Sequence, residues 1–375
     1  MFPHLVPSQM RPSPSLVAPV VAELAAAWSA MLVRAVTPPS LDSDAASLDI
    51  SNVATALSHA WRPSTKARYS GAVTQFLDFC TTRQIPPWEY LPASEKILCS
   101  FAASFVGRLA GRTIRNKCSA LRGWHIENNV PWLGSVQLDY VIKGCENMRP
   151  LVSRQLPRAA ITMPMLHALT LHLSPADPFD ACVLFVATTC FWGQLRLGEL
   201  LPVSENRYVP GSLPTWRDVR PPNANGSRML HLPQTKCGGS LGEDVMITRQ
   251  QDCDPIAALR AHRFLSGAAE DAPLASFVTA DGSRRVLSKH SFLRRCRSIL
   301  LPAGFAPISG HSFRIGGTTH LLLSGVPPDI VKIMGRWSSD SFLRYWRSLD
   351  LIAPLYAELL IPLFTKRDFS VHPSA

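Results

Sequence analysis

Apolar residues recur at helical spacing along most of this chain, and the breaks between them are short. Tyr69, Val73, Phe76 and Leu77 follow at helical spacing, with Phe76 and Leu77 three and four positions after Val73. They come just after Pro63-Ser64-Thr65, where Ser64 and Thr65 are good N-cap residues. Residues 97–109 carry a second apolar stripe, with Gly111 as its expected stop. Residues 113–125 read as a third helix around Ile114, Leu121 and Trp124, and 138–147 as a fourth. Together they predict a helical bundle over residues 49–153, large enough to fold alone.

Arg149-Pro150 and Arg154-Gln155-Leu156-Pro157-Arg158 then interrupt the periodicity with polar, basic and proline residues, which predicts a domain boundary. A second domain is expected over 157–363, with helices at 164–173, 179–190, 254–265, 288–300, 312–324 and 329–334. Met229-Leu230-His231-Leu232-Pro233 and Val245-Met246-Ile247-Thr248 flank Thr235-Lys236-Cys237-Gly238-Gly239. Two strand-like runs around turn residues predict a hairpin. Residues 1–48 read as a mostly disordered leader, with one short amphipathic helix at 21–36. Their prolines and Glu23 interrupt any signal-peptide core. Residues 364–375 read as a tail.

Composition narrows the classes. Of 375 residues, 46% are hydrophobic and 17% charged, which is globular. The most apolar run, 181–191, ends before Gln194 and Arg196, so no membrane span is expected. Nine cysteines without a close CxxC pair argue against a zinc site or a disulfide scaffold, and suit a reducing compartment. The net charge is +11. Residues 1–50 hold two basic and four acidic residues, 51–156 thirteen and six, and 157–375 twenty-three and seventeen. Two basic domains after an acidic leader point to a polyanion, DNA or RNA, and could close around a duplex. The charge alone equally fits a basic enzyme with no nucleic acid, and double-stranded DNA is the partner that the family resemblance given below implies. Arg112, Arg115, Lys117 and Arg122 crowd the third helix, and Lys66 and Arg68 the first. Arg115 and Arg122, one heptad apart, share a face, while Lys117 lies off that line.

Three constellations carry chemistry. Arg196 lies inside Phe191-Trp192-Gly193-Gln194-Leu195-Arg196-Leu197-Gly198-Glu199-Leu200, an otherwise apolar stretch where a charge must be paired or used. Glu199 is one turn on and can orient the guanidinium. His311 and Arg314, in Gly310-His311-Ser312-Phe313-Arg314-Ile315-Gly316-Gly317, are expected on one side of a helix start, which favours anions. The two glycines allow something to pack closely. Last comes Gly335-Arg336-Trp337-Ser338-Ser339-Asp340-Ser341-Phe342-Leu343-Arg344-Tyr345; alone, Tyr345 reads as a core aromatic.

In this order, Arg196, Lys236 on a hairpin, His311-x-x-Arg314, Trp337 and Tyr345 resemble the tyrosine recombinase, or phage-integrase, family. The likeness spans about residues 50–363. Its wording around Gly335-Arg336-Trp337 and Arg344-Tyr345 is similar to recombinases of eukaryotic mobile elements, fungal ones included. The resemblance implies a mainly α chain: a helical, SAM-like core-binding domain, then an α+β catalytic domain with a small β-hairpin sheet. It implies site-specific DNA cleavage and rejoining through a 3′-phosphotyrosine link, without metal, ATP or other cofactor. Tyr345 would be the nucleophile, Arg196 and Arg314 the phosphate clamp, and His311 a donor or proton acceptor. Trp337 would shape the pocket, Lys236 would protonate the leaving 5′ oxygen, and Glu199 would buttress Arg196. One departure stands out: Tyr345 follows Trp337 by 8 residues, one fewer than the Cre-type pattern implies.

The apolar segment 349–364 would dock on a neighbouring subunit, giving a homotetramer on DNA, or pack on its own domain. The other readings are a DNA-binding relic of a mobile element without turnover, and a type IB topoisomerase-like relaxing enzyme. The location implied is the nucleus if the source is eukaryotic, and otherwise the cytoplasm.

Overall fold

A computed structural model of the chain describes residues 51–53, 55–150, 158–235, 241–339 and 342. The expected leader, the boundary at 151–157, the hairpin tip with Lys236, and Tyr345 with the segment 349–364 lie outside the described residues. The chain is mainly α with two small antiparallel sheets, and its contacts divide it into two compact units, 1–156 and 157–375.

In the first unit, helices α1 (Pro63–Thr82), α2 (Glu95–Ala103), α3 (Gly111–Glu127) and α4 (Val136–Asn147) pack α1 on α3 and α2 on α4, with α3 also against α4. Phe76, Leu98, Phe101, Ile114, Leu121 and Ile142 fill the centre. Two expectations about helix ends need correction. The α1 N-cap is Arg62, with Pro63 in the first turn, where its missing N–H costs nothing. Gly111 does not stop the second helix, which ends at Ala103; it opens the third. A side chain there would lie 2.8 Å from Glu146 Cβ and 2.9 Å from the Ile142 carbonyl, so glycine lets α3 begin hard against α4.

The second unit is built around α6 (Pro178–Trp192), buried on nearly every side. Against it pack α5 (Met163–His172), α8 (Pro255–Ser266), α9 (Lys289–Leu300) and α10 (Ser312–Leu323). Short helices α7 (Leu197–Leu200) and α11 (Pro328–Met334) complete the set. The expected hairpin is β2 (Arg228–Leu232) with β3 (Glu243–Ile247), antiparallel in register from Arg228↔Ile247 to Leu232↔Glu243. Sequence periodicity missed β1 (Val219–Pro222), which adds to β2, and the pair β4 (Ser276–Val278) and β5 (Arg284–Val286). These strands are three or four residues long, too short to show alternation.

Gly316 and Gly317 do what their spacing promised. A Cβ on Gly316 would run into the Ile161 carbonyl and one on Gly317 into the Phe191 carbonyl. So α10 seats directly on the backbone at the end of α6, which brings His311 and Arg314 to the turn that carries Arg196. The eight cysteines among the described residues are free thiols. Burial pushes those of Cys80 and Cys118 up to about 12, so they are inert core groups. No helix among the described residues is long and apolar enough to cross a membrane.

Candidate active site

The site grows from the turn that ends α6. Gln194 has a left-handed backbone (φ 49°) and a fully buried side chain. Its Oε1 accepts from Thr318 Oγ1 at 2.8 Å, locking the turn to α10. That turn delivers Arg196 to the N-cap of α7 with 22% of its side chain exposed. Glu199 lies behind it, nearly buried: its Oε1 accepts from Arg196 Nη1 at 2.7 Å and its Oε2 from the Arg196 backbone N–H at 2.9 Å. The buttress expected from the sequence is therefore present.

A second arginine shares it. Arg336 Nη2 donates to Glu199 Oε2 at 2.8 Å, and its Nη1 lies 3.9 Å from Glu243 on β3. Burial works to raise the Glu199 pKa, but the charge of Arg336 and the contacts from Arg196 outweigh it, leaving it below the usual carboxylate value. Sequence reasoning missed Arg336. The signals were available: it follows Gly335, precedes Trp337, and stands nine residues before Tyr345, the spacing that Trp337 lacks.

His311 and Arg314 do not project to one side of the helix start as expected. His311 is the exposed N-cap of α10, whereas Arg314 is 1% exposed, because the first turn rotates it inward beneath α11. Arg314 Nη1 donates to the Gln194 carbonyl, Nη2 donates to the Gly335 carbonyl at 2.6 Å, and the guanidinium lies 3.8 Å from the Trp337 ring centre. Trp337 thus floors the arginine. Partial burial, followed by the charges of Arg158, Arg196, Arg314 and Lys289, holds the His311 pKa below its usual value. Five groups from distant segments meet here: Arg196, Glu199, His311, Arg314 and Trp337. Lys236 and Tyr345 lie outside the described residues. Chemically, the pocket offers cationic donors to an oxyanion and a neutral imidazole as proton acceptor.

On the first unit, Lys66, Arg68, Arg112, Arg115 and Arg122 are all exposed. Lys66 Nζ donates to the Ser58 carbonyl at 2.5 Å. Lys117 differs: it donates to Gln75 Oε1, lies 5.4 Å from the Phe105 ring centre, and burial lowers its pKa. Arg112 and Arg115 line a groove with Tyr140, Lys143 and Arg149, and Tyr140 is 68% exposed. Those last three were not anticipated; Tyr140 and Lys143, one turn apart on α4, were the legible sign. No group of three or more potential metal ligands occurs among the described residues.

No family model and no curated protein matches the chain. It is similar to several solved structures. One is the XerH site-specific recombinase in a post-cleavage complex with its difH substrate: 17% identity, TM-score 0.48, 72% of each chain covered. A lambda integrase dimer bound to a COC′ core site gives 12% identity and a TM-score of 0.49, over 79% of this chain and 93% of that one. The Tn1549 transposon integrase with its right-end DNA gives 12% and 0.45, over 77% and 99%. These three solved structures, to which the chain is similar, are of a recombinase and two integrases.

Proposed function

We propose that the protein is a site-specific DNA recombinase that breaks and rejoins DNA through a phosphotyrosyl link at Tyr345. The observation that supports it most is the gathering of Arg196, His311 and Arg314, from two segments far apart in sequence, into one cationic pocket braced by Glu199. An apolar core has no use for that arrangement, whereas a phosphodiester does.

The Tyr345 phenolic oxygen attacks the scissile phosphorus, and the bond to the 5′ oxygen breaks. His311, neutral at neutral pH because its surroundings disfavour a further positive charge, accepts the phenolic proton. Arg196 donates to a non-bridging oxygen, and Arg314 adds its charge from below as negative charge grows. Trp337 keeps the Arg314 guanidinium flat and shielded. Lys236 supplies the proton that the departing 5′ oxygen takes up. The link keeps the energy of the broken bond, so attack by a 5′ hydroxyl reseals the strand and returns Tyr345. Exposed arginines of the first unit hold the duplex mostly through phosphates. Exchange between two duplexes then calls for a tetramer, with residues 349–364 as the docking segment.

The test is a suicide substrate: nicked DNA from the repeats flanking the gene, which traps the link once the cut fragment diffuses away. A species heavier by one protein mass is expected from the wild type and none from Tyr345→Phe, with binding unchanged. Attachment that persists in Tyr345→Phe overturns the assignment. Binding without attachment in the wild type favours a DNA-binding relic.

A further inference from the structure

We infer that Lys289 is a further phosphate-binding cation of this pocket, seated over Gly198 so that its ammonium serves the same anion as Arg196 and His311. The nature of that anion, a DNA phosphodiester, rests on the reading above.

Lys289 opens α9, and both ends of its placement are fixed. Its backbone N–H donates to the Pro202 carbonyl at 2.9 Å, just beyond α7, and Ser288 caps the helix through the Ser291 N–H. The side chain then crosses α7 at Gly198, between Arg196 and Glu199. A Cβ on residue 198 would lie 2.8 Å from Lys289 Nζ and 3.4 Å from its Cε. Glycine is what makes room for the ammonium. Glu199, the acid next to Gly198, is already engaged by Arg196 and Arg336. Among the described residues the Lys289 ammonium forms no hydrogen bond and no ion pair, although the residue is half-buried. Its charge falls on His311 together with those of Arg158, Arg196 and Arg314. Burial accordingly lowers the Lys289 pKa. A desolvated ammonium among like charges is costly unless a counter-charge arrives. An oxyanion held by Arg196 and His311 would supply one. Nothing in the spacing of the sequence marked this lysine, which lies outside every motif described above.

The test uses the full-length chain with ¹³Cε-labelled lysine and labelled histidine imidazoles, titrated with inorganic phosphate. The Lys289 signal is the one lost in Lys289→Arg. It is expected to titrate below the ordinary lysine range and to shift saturably with phosphate alongside His311. Gly198→Ala displaces only the tip of a flexible side chain, so the fold survives. It should return the Lys289 titration toward the ordinary lysine range and weaken phosphate binding about tenfold, the scale of one charge-assisted hydrogen bond. If phosphate moves His311 but not Lys289, or if Gly198→Ala changes neither property, the inference fails while the pocket stands. If Lys289 responds as described but no DNA yields a covalent species, the cation is upheld and the recombinase reading fails.

Discussion

Glu199→Gln puts the centre of the site under a quantitative test. The carboxylate is 5% exposed and holds Arg196 at 2.7 Å and Arg336, itself 8% exposed, at 2.8 Å. Glutamine keeps the shape, but it removes the charge and turns an NH2 group toward a guanidinium. Breaking one side of a buried ion pair costs about 3–5 kcal/mol, because the partner charge stays desolvated. Arg196 can rehydrate and Arg336 cannot, so the low end applies, about 3 kcal/mol. The pH dependence follows from the depressed pKa. The ion pairs contribute fully above the usual carboxylate value of 4.5 and are lost as pH falls through the lower folded value. Urea unfolding followed by tryptophan fluorescence should therefore separate wild type and variant widely at neutral pH, with the gap closing in acid. A neutral-pH loss below about 1 kcal/mol, the range of exposed pairs, would refute the buried-bridge account. So would a gap that acid does not narrow.

His262 makes a second pH statement of the same sign, at higher pH. It lies between Phe185 and Trp216, fully buried, with its pKa lowered from 6.5 to about 4, chiefly by desolvation. The unfolded chain binds the proton first, so stability should fall by about 3 kcal/mol as pH drops across that interval. His262→Phe should flatten this slope in pH-dependent urea midpoints, and an unchanged slope would assign it elsewhere. Gly317→Ala drives a methyl into the Phe191 carbonyl and should cost well over 3 kcal/mol or abolish soluble protein. A melting temperature near wild type would show that α10 does not seat on α6 as described. Arg115→Ala with Arg122→Ala, both exposed, should lower the log–log salt slope of duplex binding by about 2, and an unchanged slope would make them mere solvated charges.

Helix positions were legible because burying one face imposes a 3.6-residue rhythm that survives in any single segment. The first four helices were found, and so were those from α5 onward apart from the short α7, which was not anticipated. Their ends were less so: Gly111 reads equally as a stop or a start until α4 is seen packed against it. Short strands such as β4 and β5 carry no period and appear only once paired. The buttress of Arg196 by Glu199 was also readable, since both groups lie within one turn.

What the sequence determined by itself was therefore local. It specified the helices, the β2–β3 hairpin, the basic balance, and a set of polar residues that an apolar core would not keep. What only the tertiary structure decided was their company. Arg336 joins Glu199, Arg314 turns inward onto Trp337 and two backbone carbonyls, and Lys289 lies across Gly198. Each of these contacts spans long loops of chain, and its energy depends on burial that no local window contains. A charge is neutral in meaning along the sequence and acquires its role from the groups that share its desolvation.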